Sequence, residues 1–249
     1  MTSLLPSDVK ASIGAINGVS TGFKYGSSTL VSTSYVDIWP NASILSYQDH
    51  SERQNIVSTS NDDAIGGVGL QRLIIFGLDD DYVPIEEEIL LDGTNNVLSK
   101  KAFLRVFRMR GIQSDNNGTA LNVGTISVTS LESSTLQAVM AIGTNNSLQS
   151  QFTVPKNQYL VATSTDITVR SGDQANIRFF VRQFGECFTL RFEANIVSNV
   201  SPIRFAPPIV IPPKADITAR AIKIAGGGNV GITVSYDYYL IDSSLVNLT

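Results

Sequence analysis

At 249 residues, with 43% hydrophobic and 16% charged residues, the chain is long enough for one large core or two small ones and too apolar for disorder. A net charge of −4 supplies none of the clustered Lys and Arg that phosphate backbones require, so no nucleic-acid partner is expected. A single cysteine, Cys187, excludes an intrachain disulfide, and no run of about 18 apolar residues exists to cross a membrane.

Residues 1–22 are small and polar, with Gly14, Gly18 and Gly22 four apart. Asp8 and Lys10 break any apolar stretch, so no signal peptide is expected. The reading is an extended or loosely ordered arm that docks on a neighbouring subunit, with one helical turn near Asp8. Phe23–Gly26 and Tyr35–Trp39 are short strands, the second ended by Pro40. Trp39, the only tryptophan, follows Ile38 and reads as core rather than as a sugar-stacking platform. The single histidine, His50, lies in a polar loop without the companions a His-rich metal site needs, and reads as structural or exposed. Asn55–Ser60 is a strand, and Asn61-Asp62-Asp63 a turn.

Gly66–Gly111 then reads as a β-meander of three strands, Val68–Phe76, Tyr82–Leu91 and Ala102–Arg110. In the third strand Phe103, Arg105, Phe107 and Met109 share one face, and Leu104, Val106, Arg108 and Arg110 the other. Two mixed faces fit either a subunit contact or an edge strand whose arginine stems cover apolar surface. Asp115–Thr119 is a hairpin loop, followed by strands at Gly124–Ser130 and Leu136–Ile142.

The second half contains an echo. Thr165–Arg170 and Ala215–Arg220 share Asp-Ile-Thr, each follows a Pro-Lys pair, and each precedes a Gly-containing turn and another strand. Two related hairpins on one sandwich are expected, with Phe188–Ile196 a central strand between them. Five Asn-x-Ser/Thr sequons, at Asn41, Asn117, Asn145, Asn199 and Asn247, are explained by a composition rich in Asn, Ser and Thr.

No catalytic constellation is found. Asp79-Asp80-Asp81 is the densest carboxylate group, but adjacent aspartates in a tight turn point apart and the EF-hand spacing is missing, so a solvated turn is expected and no metal. Glu86 and Glu88 share one strand face and Glu87 the other. Cys187, between Phe184 and Phe188, reads as a buried inert thiol. No Gly-x-Ser-x-Gly elbow accompanies His50, and the glycines of Gly66–Gly69 and Gly226–Gly228 do not lead from strand to helix as a phosphate loop would. No enzyme activity, catalytic residue or cofactor is expected.

Several pieces in order, Phe23-Lys-Tyr-Gly26, Asp37-Ile-Trp39, Ser58–Asp62, Gly69–Asp79, Glu87–Gly93, Val154-Pro-Lys156 and Asp216-Ile217, resemble a group of virion structural proteins of tailed bacteriophages common in aquatic phages. The resemblance spans most of residues 23–241. It implies a β-sandwich component of the virion, assembled in the bacterial cytoplasm, with no enzymatic residues to carry over. The expected role is a capsid accessory protein, decorating or cementing the particle. Its partners would be other virion proteins, such as the major capsid protein, and copies of itself, with a trimer expected. A neck, tail or baseplate component is the alternative within that class. A carbohydrate- or receptor-binding β-sandwich is the alternative outside it, with Trp39, Tyr238 and Tyr239 as stacking residues.

The fold class expected is all-β: an antiparallel sandwich of jelly-roll type, as one body or as two packed sandwich subdomains. The division expected is an arm over 1–22, a first sandwich over 23–150 and a second over 151–249.

Overall fold

The computed structural model describes residues 5–197 and 200–246, apart from the side chains of Asn116, Val200 and Ser201. The sequons at Asn199 and Asn247 therefore lie outside the described residues. In chain order a short helix α1 (Ser7–Ser12) precedes β1 (Val19–Val31) and β2 (Val36–Asp37). Then come β3 (Glu52–Ser58), β4 (Leu70–Leu78), β5 (Pro84–Leu90), β6 (Val97–Phe103), β7 (Arg105–Ser114), a helical turn α2 (Asp115–Gly118), β8 (Ile126–Ser130) and β9 (Leu136–Met140). The chain continues through β10 (Phe152–Thr153), β11 (Gln158–Val169), β12 (Gln174–Arg182), β13 (Thr189–Val197), β14 (Val200–Ile211), β15 (Asp216–Ala225) and β16 (Val230–Asp242).

One sheet has the order β1-β16-β11-β14 and the facing sheet the order β10-β15-β12-β13, all antiparallel. Eight strands in this alternation between two sheets form a jelly roll. Its interior is closed by apolar side chains that alternate along the strands, among them Leu160, Ile167, Ile177, Ile232 and Val234. Pro202, Pro207 and Pro208 lie on β14, the outer strand of its sheet, where missing donors protect the edge.

The strand facing β15 comes in two pieces. Val36 and Asp37 pair with Ala221 and Arg220, and Phe152 and Thr153 pair with Ile217 and Asp216. The Ile38 amide donates to Ala219 (2.9 Å) and the Val154 amide to Ala215 (2.9 Å), so β2 and β10 lie in line along one neighbour. Between them the chain leaves to build a second sandwich, with sheets β6-β3-β8-β9 and β5-β4-β7 around Ile56, Leu73, Ile75, Phe103, Met109 and Ile126.

This pairing corrects the expected division. A boundary at 150 separates β1 from β16, yet Val19–Val31 pairs with β16 along its length. The roll is built from both ends of the chain and the second sandwich is inserted. The expected arm is also shorter, since Val19–Gly22 belong to β1 and Ser12 of α1 accepts a hydrogen bond from Thr21 (3.2 Å). The meander is corrected as well. The third strand pairs with the first, giving β5-β4-β7, and the run 97–114 is two strands that change sheets at Leu104. Strand β6 escaped notice because Lys100 and Lys101 interrupt its apolar pattern. Asp115–Thr119 is a crossover between sheets rather than a hairpin loop.

The echo is not a pair of hairpins. β11 and β12 lie in opposite sheets, as do β15 and β16, while β11 pairs with β16 and β12 with β15. Each unit is a corner, and the two corners interlock. Phe188–Ile196 is correspondingly not central, because β13 is the last strand of its sheet.

Within the inserted sandwich a buried carboxylate organises the loops. Asp63 accepts hydrogen bonds from the amides of Leu70, Val123 (both 2.9 Å) and Gly124 (2.8 Å) and from the Ser58 hydroxyl (2.6 Å). Gly69 is required beside it, since an added Cβ would stand 2.3 Å from Asp63 Oδ1. Replacing Asp63 with Ala removes the acceptor of three amides, those of Leu70 and Gly124 buried and that of Val123 partly so, and should cost about 3 kcal/mol in urea unfolding. A loss below about 0.5 kcal/mol would show that water substitutes for the carboxylate.

Candidate functional site at the neck and tip of the inserted sandwich

The inserted sandwich meets the roll through a neck of two chain segments. The Ser150 amide donates to Ile38 (3.0 Å), and both backbones pass so close to Gly26 that an added Cβ there would lie 2.6 Å from Ser150 N and 2.7 Å from Ile38 O. Each half of the split strand is pinned by a buried carboxylate. Asp37 on β2 accepts from the Leu45 amide (2.7 Å), the Thr218 hydroxyl (2.7 Å) and Arg220 Nε (3.0 Å). Asp216 on β15 accepts from the Thr153 hydroxyl (2.6 Å), Arg105 Nε (3.1 Å) and two nitrogens of Arg182 (2.9 and 2.5 Å). Arg105 comes from β7 of the inserted sandwich, so the Asp216 cluster ties the two bodies together directly.

The guanidiniums are interleaved with aromatic rings. Arg182 lies over Tyr47 (4.5 Å) and Phe188 (4.9 Å), Arg105 over the Tyr47 ring (5.1 Å), and Arg220 over Phe180 (5.0 Å) and Phe188 (5.2 Å). Cation–π stacking holds the guanidiniums in place, Arg105 buried and Arg182 and Arg220 half-buried. Burial, together with Asp216 and Asp37, raises the Tyr47 hydroxyl well above its usual range. Beside this stack lies a cleft of about 290 Å³, bordered by Tyr82, Phe184 and Lys214, with the Lys214 ammonium 5.2 Å from the Tyr82 ring.

The neck accounts for the two mixed faces of Phe103–Arg110. Arg105 is buried at an interface inside the chain, where a subunit contact was one of the two expectations. Arg108 and Arg110 follow the other, each with its guanidinium 5.8 Å from the Phe76 ring and its surface exposed. Lys24 of β1 completes the junction. It is buried, donates to the Phe107 carbonyl, and lies 5.6 Å from the Phe107 ring. Burial, with the neighbouring Arg108 charge second, lowers its ammonium to about 7.

At the end held together by Asp63, three loops present apolar side chains to solvent. Ile65, Val68, Leu121 and Ile142 are each more than half exposed. Asp63 draws 63–70 to Val123 and Gly124, and the buried Asn122 donates to Ala141 (2.8 Å) and accepts from Thr144 (3.0 Å) and Asn145 (2.9 Å). The tip is thus apolar outside and held by buried polar hubs within, the form in which exposed hydrophobic surface marks a contact.

The residues singled out in the sequence are scattered. Asp79 accepts the amides of Asp81 (3.0 Å) and Val83 (2.9 Å), Asp80 accepts the Ser51 amide, and Asp81 stands 3.9 Å from Lys156. The three carboxylates point apart, and among the described residues no group of three His, Cys, Asp or Glu side chains is placed to hold a metal. Glu87 is half-buried. It accepts the amides of Lys100 and Lys101 (both 2.7 Å) and so joins β5 to β6. His50 is exposed and bonded to Asp49 (2.6 Å), which raises its pKa. Cys187 is exposed, against expectation, because the loop 183–188 turns Phe188 inward onto Tyr47 and leaves the thiol outside. Trp39 is buried with Leu45 and Val139, its indole donating to Ser43 (2.7 Å). Tyr238 is buried and Tyr239 half-buried.

No protein-family model and no curated protein matches the chain. Among solved structures it is similar to the STIV MCP, with 7% identity, a TM-score of 0.28, and coverage of 91% of this chain and 100% of that one. It is also similar to infectious bursal disease virus VP2 as a subviral particle, with 10% identity, a TM-score of 0.24, and coverage of 97% and 79%. Likeness at this level carries no argument about descent or role.

Two outcomes test the neck. Asp216→Ala leaves two guanidiniums facing each other without a counter-charge and should cost about 3–5 kcal/mol. Limited proteolysis should then cut first in the neck, near residues 39–51, and unchanged cleavage would refute the pin. For Lys24 the folded pKa lies below the unfolded one, so the unfolded chain binds more protons between pH 7 and 10.5 and stability rises with pH there. Lys24→Met should remove this rise from urea-unfolding series between pH 7 and 9. An unaltered slope would show that the ammonium is solvated.

Proposed function

We propose that the chain is a non-enzymatic structural protein of a virion, and within that class a capsid accessory protein that decorates or cements the shell. The observation that carries this reading is a filled jelly roll bearing a second sandwich with a rigid apolar tip. Jelly rolls recur in viral capsid domains, lectins and cupins. A cupin uses the hollow of its roll, whereas here Leu160, Ile177, Val234 and Tyr236 occupy it. Of the rings on which a lectin is expected to stack a sugar, Trp39 and Tyr238 are buried and Tyr239 is half-buried.

In this reading the tip rests on the major capsid protein, and copies of the chain associate, as trimers, around that contact. The resemblance of the Asp37-Ile-Trp39 and Asp216-Ile217 segments to tailed-phage virion proteins supports the same role, with assembly in the bacterial cytoplasm. Both aspartates belong to the neck, so two of the segments that carry the resemblance help to hold the inserted sandwich in place.

The test uses the purified full chain and emptied phage shells stripped of accessory proteins. Binding should label the shell surface in electron micrographs, and the double substitution Ile65→Asp with Ile142→Asp should weaken it by about tenfold or more while leaving thermal melting unchanged. A chain that stays monomeric by light scattering and does not bind shells overturns the reading. Label confined to the neck or baseplate overturns the accessory role in favour of a tail component.

A further inference from the structure

Strand β1 is inside out. Its inward positions carry Lys24, Gly26 and Ser28, which are buried against the neck, while Phe23 and Tyr25 point to solvent. Phe23 is 61% exposed, and its ring lies 6.2 Å from that of Tyr25. An edge strand that buries a lysine and exposes two aromatics reverses the alternation expected of a sheet covered on one face.

Phe23 borders a groove of about 600 Å³ on the outer face of the sheet β1-β16-β11-β14. The register places four side chains in one row across it: Phe23 opposite Asp237, Asp237 opposite Ser164, and Ser164 opposite Arg204. At the usual strand spacing such a row is about 14 Å long. Asp166 stands in the next row, opposite Ser235, and a bulge at Thr163 lets that residue and Ser164 both border the groove. Ser164 Oγ donates to Asp237 Oδ2 (2.8 Å), leaving Oδ1 of that carboxylate unbonded among the described residues. Asp166 and Arg204 are exposed, and among the described residues neither they nor Asp237 take part in an ion pair.

The geometry points to a binding site for a neutral oligosaccharide. Each sugar hydroxyl both donates and accepts, and the groove offers Asp166 and the remaining oxygen of Asp237 as acceptors and the Arg204 guanidinium as donor, all three side chains exposed. The exposed Phe23 ring supplies the apolar platform on which the C–H face of a pyranose rests. One guanidinium beside two carboxylates gives no excess of cations to select a charged sugar. The groove is shallow and long, which suits an extended chain of rings rather than one enclosed monosaccharide. The site lies on the roll, away from the apolar tip, so it stands or falls independently of the proposed contact with a shell.

The experiment is saturation-transfer NMR on the full-length protein with separate samples of maltotetraose, cellotetraose, chitotetraose and a sialylated tetrasaccharide. At least one neutral sugar should receive saturation at its ring C–H protons. Phe23→Ala and Arg204→Ala should each weaken that sugar by about tenfold in a titration. Both side chains are exposed, and unchanged thermal melting confirms that the fold is intact. Absence of transfer to all three neutral sugars overturns the proposal, as does binding of the sialylated sugar alone. Binding that survives both substitutions overturns it too, since the ligand then lies elsewhere.

Discussion

The architecture depends on holding a broken strand in register. β2 and β10 together supply what one strand supplies in an uninterrupted roll, and neither is long enough to be stable by backbone pairing alone. Asp37 and Asp216 make up the difference, each binding a hydroxyl and at least one guanidinium across the junction with β15. Buried ion pairs contribute little net stability relative to apolar packing, but they are strict about geometry. Here that strictness sets which residue of each half-strand faces which residue of β15. The surrounding Tyr47, Phe180 and Phe188 rings cover one side of the guanidiniums and so limit the orientations they can take.

The same cluster explains why the two bodies act as one. Arg105 reaches from β7 to Asp216, and Lys24 reaches from β1 to the Phe107 carbonyl, so the inserted sandwich is gripped by both sheets of the roll. At its far end Asp63 and Asn122 perform the equivalent task for loops. Buried side chains with several acceptor positions collect amides that irregular backbone would otherwise leave unpaired. A neck fixed by charges and a tip fixed by Asp63 and Asn122 give a rigid projection whose outermost surface is Ile, Val and Leu.

Much of this was legible in the sequence, and the failures share a cause. Turn formers and apolar runs located most strands, the helical turn near Asp8 and the buried Trp39. Periodicity reports which elements exist but not which sheet they join. The Asp-Ile-Thr echo therefore looked like two hairpins when it marks two interlocked corners, and the run through Leu104 looked like one strand when it passes between sheets. Asp63 passed as an ordinary turn residue because nothing in Asn61-Asp62-Asp63 distinguishes the aspartate that will be buried. The one available signal was its place three residues before Gly66-Gly67-Val-Gly69, where glycines let backbone approach a side chain closely. Of β1 only Phe23–Gly26 was legible as strand, and its inverted orientation follows from the neck lying against Gly26, which no local pattern records.

The hydrogen bond between Ser150 and Ile38 has a consequence of its own. The chain departs from β15 and returns to it almost at the point of departure, so the roll reads the whole excursion as a local bulge in one strand. Beyond the residues that meet the roll at the neck, Leu45, Tyr47, Arg105 and Phe107, nothing in its sheet order or register depends on what the excursion contains. Such a position behaves as a socket: loops can lengthen, shrink or change sides within the inserted body while the roll stays the same. Divergence in this chain should therefore concentrate beyond the neck, with the carboxylate pins and Gly26 as the fixed rim of the socket.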